Sequence, residues 1–296
     1  MVDKLFVVPK AEGYDFIKVY SHLNIVTFNA IVDEAKIQGL KVVGHIPVAF
    51  KGKLSEAFVP NFSMVAHAEE FANYAKEFTY EEAQFFARIS KENGTWLTPT
   101  LTAMVWFSSQ ARSLDEVSAS KTIQYLPPIM QNKWIYHNSY NRYSNSDSNF
   151  LKKVDNMVIF HEKIVKAFKE AGVPIVVGTD ALNTGVVPGF SVHDEIELLV
   201  NAGLTNEEVL VSATRLPSEW LGIDDKIGTV EVGKFADLVL LEDNPLSNIN
   251  NTRKISGVFV NGYWLDKKII DSMLMDLSQR NMKDLDKYDW GKRRGY

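Results

Sequence analysis

Short apolar runs recur along the chain, each ending at a polar residue and leading into a helical repeat. FIKVY (16–20) is followed by apolar positions at Phe28, Ile31, Val32 and Ala35, spaced for one face of a helix. KVVGH (41–45) comes next, then FSMVAH (62–67) ahead of YEEAQFFARISKENG, where Gly94 is the predicted C-terminal stop. TWLTPTL (95–101) is a fourth candidate strand. PIVVGTD (174–180) is the fifth, preceded by the helical pattern HEKIVKAFKEAG (161–172), again closed by a glycine. Strands alternating with helices in this way predict a parallel α/β sheet or barrel.

Residues 102–155 interrupt the alternation. This stretch contains YHNSYNRYSNSDSN (136–149), and its aromatics Trp106, Trp134, Tyr136, Tyr140 and Tyr143 predict a partly ordered lid over the strand ends. After Asp180, SVHDEIELLVNAG predicts a helix with Ser191 as N-cap and acids in its first turn, where the helix dipole favours them. Thr205 and Glu208 stand at capping-box spacing before the next helix. From 226 the pattern turns to β: KIGTVEVGKFADLVLLEDNP and ISGVFVNGYWL have Gly and Asn-Gly turns and no crossover helices, so they belong to a different sheet. The tail from 266 is charged, with Ile269, Ile270, Met273 and Leu277 at helical spacing. It reads as a surface helix followed by a basic end.

Composition narrows the function classes. The 296 residues are 46% hydrophobic and 23% charged, ordinary for a globular protein with a sizeable core. A net charge of −5 gives no reason to expect nucleic acid or an anionic membrane as partner. The absence of cysteine excludes disulfides, zinc-thiolate sites and cysteine catalysis. No apolar run reaches the roughly 20 residues that span a bilayer, and MVDKLFVVPKAEG has no signal-peptide pattern. As written, the chain is expected to be cytoplasmic, although a missing N-terminal part could have carried an export signal.

The chemistry sits at the strand ends. In a parallel α/β barrel the functional face is the C-terminal end of the strands. The five candidates terminate at Lys18, His45, His67, a Thr-Pro-Thr run and Asp180. Singly, each has a plain reading: a packing histidine, a solvent-facing lysine at a sheet edge, an aspartate capping the next helix. Jointly, two imidazoles, a lysine and a carboxylate converge on one mouth, a donor set suited to zinc, manganese, iron or nickel.

GYDFIKVY, VVGHIP, MVAHAEEF, LTPTL, AGVPIVVGTDA, HDEIELLVNAGLTNEEVLVSAT and IGTVEVGKFADLVLLEDNPL together resemble the amidohydrolase superfamily. They are most similar to its imidazolonepropionase-like branch, which includes metal-dependent Xaa-Pro dipeptidases. The resemblance covers about residues 11–265, apart from 102–155, and its most specific pieces are GTDA and the GT…GK-x-ADLVLL segment at 228–241. It implies an α/β fold: a partial (β/α)8, TIM-type barrel of about strands 4–8, plus the C-terminal strands of a small β-sandwich. Residues 1–225 would form the barrel part with 102–155 as a lid-like insertion, 226–265 the sandwich strands, and 266–296 a charged helical tail. It further implies that Lys18 is carboxylated and bridges two metal ions, and that His45 and His67 bind the second of them. Asp180 would touch the first metal and act as general base toward an activated water, and His193 and Tyr20 would approach substrate. The implied substrate is a small amide, cyclic amide or dipeptide. The implied cofactor is a divalent metal, zinc above all, one or two ions in a complete site.

One family element is missing. No His-x-His pair occurs anywhere, so the strand that supplies two ligands to the first metal is not in this chain, and at most one ion is expected here. The chain reads as the later two-thirds of an amidohydrolase, with residues 1–10 as the remainder of a helix that Pro9 fits poorly. Five strands do not close an eight-stranded barrel, so the open edges predict homo-oligomerisation, element swapping or a complementing N-terminal fragment. A non-catalytic remnant serving as a binding or assembly module is the main alternative. Strand-end histidines that bind a substrate anion are a third reading, disfavoured by the lack of a glycine-rich or basic anion cradle.

Overall fold

The computed structural model of the protein describes residues 12–136 and 146–289. The first ten residues with Pro9, the tyrosines at 140 and 143, the side chain of Tyr136 and the basic end lie outside the described residues.

Four parallel strands form the first sheet in sequence order: β1 (Phe16–Val19), β2 (Lys41–Gly44), β3 (Phe62–Ala66) and β4 (Trp96–Thr98). β2 and β3 are buried along almost their whole length, as expected of parallel strands covered on both faces. Lys18, Val43, Met64 and Trp96 occupy one register row across the sheet and therefore share a face. The stretch predicted as a fifth strand continues the order but is not a full strand. Only Ile175 bridges to Leu97, held by Leu97 N–H to the Pro174 carbonyl (3.1 Å) and Val176 N–H to the Leu97 carbonyl (2.8 Å). Pro174 has no N–H to give, and the Val177 amide turns away to the Ser212 carbonyl, so the ladder stops.

Helices cover the outer face. α1 (Ile25–Ile37) starts where the Asn24 side chain accepts from the Thr27 amide (2.8 Å), and it buries Phe28, Val32 and Ala35. After the single turn α2 (Glu69–Ala72), α3 (Tyr80–Asn93) opens with a full Thr79–Glu82 capping box. It ends, as predicted, at Gly94 in the left-handed conformation (φ 66°). Phe28, Phe50, Phe62, Phe71, Phe160 and Phe168 are wholly buried in the main core, where each contributes roughly 2–3 kcal/mol of apolar burial. A smaller cluster on the inner face joins Val43, Met64, Ala66 and Val176 to Trp220.

The described part of the 102–155 stretch is built mainly of helices. α4 (Leu101–Arg112), α5 (Asp115–Ala119) and α6 (Pro128–Tyr136) precede α7 (Ser148–Ala171), whose long run contains the helical pattern predicted at 161–172 and ends at Gly172. Val117, Leu126, Trp134 and Val187 form a cluster of their own, and Trp134 Nε1 donates to the Leu182 carbonyl (3.3 Å). This segment therefore packs directly on the loop that follows Asp180.

α8 (Ser191–Asn201), α9 (Asn206–Ala213) and α10 (Arg215–Leu221) follow. The Thr205–Glu208 capping box is present. Ser191 is not the N-cap: Phe190 occupies that place in helical geometry without a side-chain cap, and the Ser191 hydroxyl accepts from the Val187 amide instead (3.0 Å).

The second sheet is antiparallel, β5 (Leu238–Leu241), β6 (Ile255–Val260) and β7 (Tyr263–Asp266), with the predicted Asn261-Gly262 turn joining the last two. Pairing begins at 238 rather than near 226. Val230 and Val232 are exposed with no partner strand among the described residues, and β-propensity without pairing does not make a strand. α11 (Lys267–Asp284) is the surface helix expected of the tail, docked by Asn281 onto the carbonyls of Gln124 and Leu126. Among the described residues no helix is long and apolar enough to cross a membrane.

One backbone position ties the fold to the site. Gly44, the last residue of β2, adopts φ +135°, and a Cβ there would fall on the Val19 carbonyl oxygen. Gly44→Ala is expected to lower unfolding free energy by about 3 kcal/mol, from backbone strain and overpacking together. Urea denaturation measures it, and an unchanged midpoint would show that β1 and β2 can separate freely.

Candidate active site

The C-terminal strand ends open into a cavity of about 370 Å³ lined by Lys18, Tyr20, His45, His67 and Asp180 among others. Lys18 lies in β1 and Tyr20 just beyond it. His45 follows β2, its amide continuing the ladder to the Val19 carbonyl (3.0 Å). His67 follows β3, its amide bonded to the Thr98 carbonyl (2.8 Å). Asp180 ends the stretch beside β4. The two imidazole rings meet edge to face with centroids 4.9 Å apart, and His67 Nδ1 lies 3.9 Å from the Asp180 carboxylate. Tyr20 stacks on His45 at 4.6 Å, and Lys18 Nζ sits over the Tyr20 ring.

The backbone is strained around this mouth. His67 (φ 78°), Thr100 (φ 52°), Asp180 (φ 53°) and Leu182 (φ 78°) are all left-handed non-glycine residues. Such conformations persist only where the surroundings hold them, and they concentrate at functional sites.

Both histidines are held by groups that strand-end reasoning does not reveal. Glu70, buried in α2, places one carboxylate oxygen 2.7 Å from His45 Nδ1, and its other oxygen accepts the Ile46 amide (2.8 Å). The Ser21 hydroxyl lies 3.1 Å from the same nitrogen. A carboxylate partner fixes the Nδ1–H tautomer and leaves the Nε2 lone pair as the free one. His67 Nδ1 is 3.0 Å from the Thr100 hydroxyl. Burial drives the His67 imidazole down to about 4, outweighing the raising effect of Asp180, with His45 and Lys18 acting in the same direction as burial. His67 is therefore neutral near pH 7 and can offer a lone pair.

Two further residues escape a sequence reading. Glu195 in α8 is wholly buried and accepts from the amides of Leu101 (2.9 Å) and Thr102 (2.8 Å) and the Thr102 hydroxyl (2.8 Å). It thereby pins the start of α4 immediately after Thr100. His161 in α7 also lines the cavity. His193 does not: it is half-buried in α8 with Nδ1 3.0 Å from the Thr252 hydroxyl, and burial lowers its pKa.

Among the described residues no three His, Cys, Asp or Glu side chains come together as a group able to hold a metal ion. The pair His45 and His67 nonetheless suits a divalent ion. The two imidazoles line one cavity beside Lys18, and an ion there would need ligands beyond the pair.

The family profile described as the amidohydrolase family matches residues 27–265. The chain belongs to that family. Over 104 residues it is 36% identical to imidazolonepropionase from Maricaulis maris, a match covering 34% of this chain and 26% of that protein. Among solved structures it is similar to bottromycin amidohydrolase, with TM-score 0.73 and 26% identity over 95% of this chain and 62% of that one. It also shares its fold with a Xaa-Pro dipeptidase crystallised with methionine in the active site, with TM-score 0.61 and 19% identity over 90% of this chain and 58% of the other. The chain thus spans about six-tenths of the amidohydrolase structures it matches. The expected family and its TIM-barrel-like α/β architecture are borne out, and members of this family generally use divalent metals.

Proposed function

We propose that this amidohydrolase chain carries part of the centre of a metal-dependent hydrolase of C–N bonds, acting on a small amide, cyclic amide or dipeptide. The observation that carries the reading is the convergence onto one cavity of Lys18, His45 and His67, from three successive parallel strands, with Asp180, from the stretch that bridges to β4. The relatives' names and the family membership support the reaction class.

His45 and His67 would hold a divalent ion, zinc by the preference of imidazole and carboxylate donors, and Lys18 would join them once carboxylated by carbon dioxide. Bound there, such an ion supplies Lewis-acid polarisation of the scissile carbonyl and acidifies the attacking water. Asp180 is the general base: its carboxylate takes a proton from the water as the C–O bond forms and returns it to the nitrogen as the C–N bond breaks. Tyr20, stacked on His45 with its ring at the mouth, orients the incoming substrate. His193 has no part in the proposed substrate set, because it packs away from the cavity.

The four parallel strands run in chain order, which supports reading them as part of a barrel, and the strands between 238 and 266 form a separate sheet. The β1 edge opposite β2 has no strand partner among the described residues. Strands docking there, from a second copy or a complementing segment, would complete the mouth. The first test is amine release from Xaa-Pro dipeptides and cyclic amides after zinc reconstitution. Activity lost on dialysis against EDTA and restored by zinc supports the reading. Activity unaffected by EDTA contradicts it.

The second test concerns Glu70. Glu70→Ala is expected to weaken zinc affinity by about 10–100-fold, because His45 loses the partner that sets its tautomer and ring direction. Competition with a chromogenic chelator reads this directly. Wild-type affinity in the variant would leave Glu70 with a purely structural role.

A further inference from the structure

The loop that carries Asp180 is gripped from outside by the 102–155 stretch. Within itself the loop is a short self-bonded turn. The Leu182 amide donates to the Val186 carbonyl (3.1 Å) and the Val186 amide to the Asn183 carbonyl (2.9 Å). From outside, Trp134 Nε1 donates to the Leu182 carbonyl (3.3 Å) and Gln110 Nε2 to the Thr184 carbonyl (3.0 Å). The Trp106 ring lies against Gly185 (φ +93°), so close that a Cβ there would fall on the indole. Trp106 and Gln110 stand one turn apart on α4, and Trp134 stands on α6.

This grip has strain to work against. Asp180 (φ 53°) and Leu182 (φ 78°) are left-handed, and a bulky residue such as leucine does not rest there unaided. The Leu182 side chain is 44% exposed, so packing does little and the conformation is fixed through its main chain. Trp134 is itself immobile, 1% exposed and packed with Val117, Leu126 and Val187. Behind that cluster stands α11. Its buried residue, Asn281, donates through Nδ2 to the carbonyls of Gln124 (3.0 Å) and Leu126 (2.9 Å). Direct contacts thus run from the tail helix through Leu126 and Trp134 to Leu182, two residues from the proposed base.

We propose that Trp134 is the positioning residue for the general base. Backed by α11 and aided by Gln110, it holds the Asp180 loop in its left-handed form and keeps the carboxylate at the cavity. This rests on the reading of Asp180 as base and gives the 102–155 stretch a role beyond covering the mouth. A base must stay within hydrogen-bond reach of the proton it takes, and a loop that relaxed to ordinary backbone angles would carry Asp180 away. Trp134 does not line the cavity, so it acts on the chemistry only through Asp180. Its effect on turnover should therefore vanish once Asp180 is replaced.

Amide hydrogen exchange, read residue by residue on the full chain, tests this. Trp134→Phe keeps an aromatic ring in the cluster and removes the donor. The Leu182 and Val186 amides are expected to exchange about 10-fold faster, as one lost hydrogen bond implies. The His45 and His67 amides, bonded into the sheet ladder, should keep their rates. Val117→Ala opens the same cluster but spares the donor, and should leave both loop amides unchanged. Asn281→Ala should speed the two loop amides by less, about 3-fold. In turnover, Trp134→Phe should lower kcat about 10-fold at unchanged KM, and lower it no further in Asp180→Asn. Loop exchange unchanged in Trp134→Phe, matched by Val117→Ala, or accelerated equally at His45 and His67, overturns the proposal. So does an additive loss of kcat in the double variant. Should Trp134→Phe not fold, Asn281→Ala decides by the same two amides. A chain whose loop loosens but that releases no amine from any amide keeps the loop hold and loses the hydrolase reading. A chain that hydrolyses amides with loop exchange unchanged does the reverse.

Discussion

Asp180→Asn is expected to lower kcat for amide hydrolysis by about 10³-fold, the loss typical of removing a positioned general base. Asparagine is the informative substitution at this position. The residue sits at φ 53°, a conformation Asn tolerates nearly as well as Asp, so strain does not confound the result. Asn183 donates to both the Asp180 side chain and its main-chain carbonyl, and an asparagine carbonyl can still accept. His45 and His67 keep their own partners, so bound zinc should remain largely in place. Asp180→Ala would mix chemistry with backbone strain, which costs of order 1–3 kcal/mol. Steady-state kinetics with parallel metal analysis checks the expectation. Equal turnover in wild type and Asp180→Asn would remove Asp180 from the chemistry.

The second large effect is on stability. Glu195→Ala leaves two main-chain amides and one hydroxyl at the start of α4 without their acceptor, in a region closed to solvent. Stranded buried donors cost roughly 1–3 kcal/mol each, so a loss of about 4 kcal/mol in unfolding free energy is expected from urea titration at pH 7. The same residue sets a pH dependence. Burial raises its carboxyl from 4.5 to about 7, against the lowering effect of the three hydrogen bonds. Between those values the folded protein holds a proton that the unfolded chain has released. The Glu195 contribution is therefore full below about pH 4.5 and is lost as pH rises toward 7. Glu195→Gln cannot titrate, so its stability profile should be flatter than wild type over that window. Parallel profiles would mean that Glu195 does not titrate there. Because Thr100 carries the hydroxyl beside His67 and precedes the pinned helix start, both variants are also expected to loosen the His67 ring.

What was legible in the sequence follows from which contacts are local. Lys18, His45, His67 and Asp180 stand out because each ends an apolar run, and parallel topology brings successive strand ends to one side whatever the details of packing. The helix ends at Gly94 and Gly172 and the capping box at Thr205 are legible for the same reason, since all their partners lie within a few residues. Ser191 failed as a cap because Phe190 is already helical, a backbone outcome set by the preceding turn. The 226–237 stretch failed because its valines have no strand to pair with, a fact of the sheet and not of the segment. Glu195 lies 93 residues from Thr102, and Glu70 reaches back 24 to the Ile46 amide. No spacing rule connects such pairs. His161 was hidden differently: it occupies the buried stripe of α7 beside Phe160 and Ile164, where periodicity marks it as core. Only its place on the cavity wall sets it apart.

Zinc content per chain, by elemental analysis after zinc reconstitution and removal of loosely bound ions, tests the central claim most directly when wild type is compared with His45→Ala. About one zinc ion per chain in wild type, lost in the variant, is the expected result for a site built on His45 and His67. No zinc in wild type, or equal zinc in both proteins, would contradict the metal centre on which the proposed hydrolysis depends.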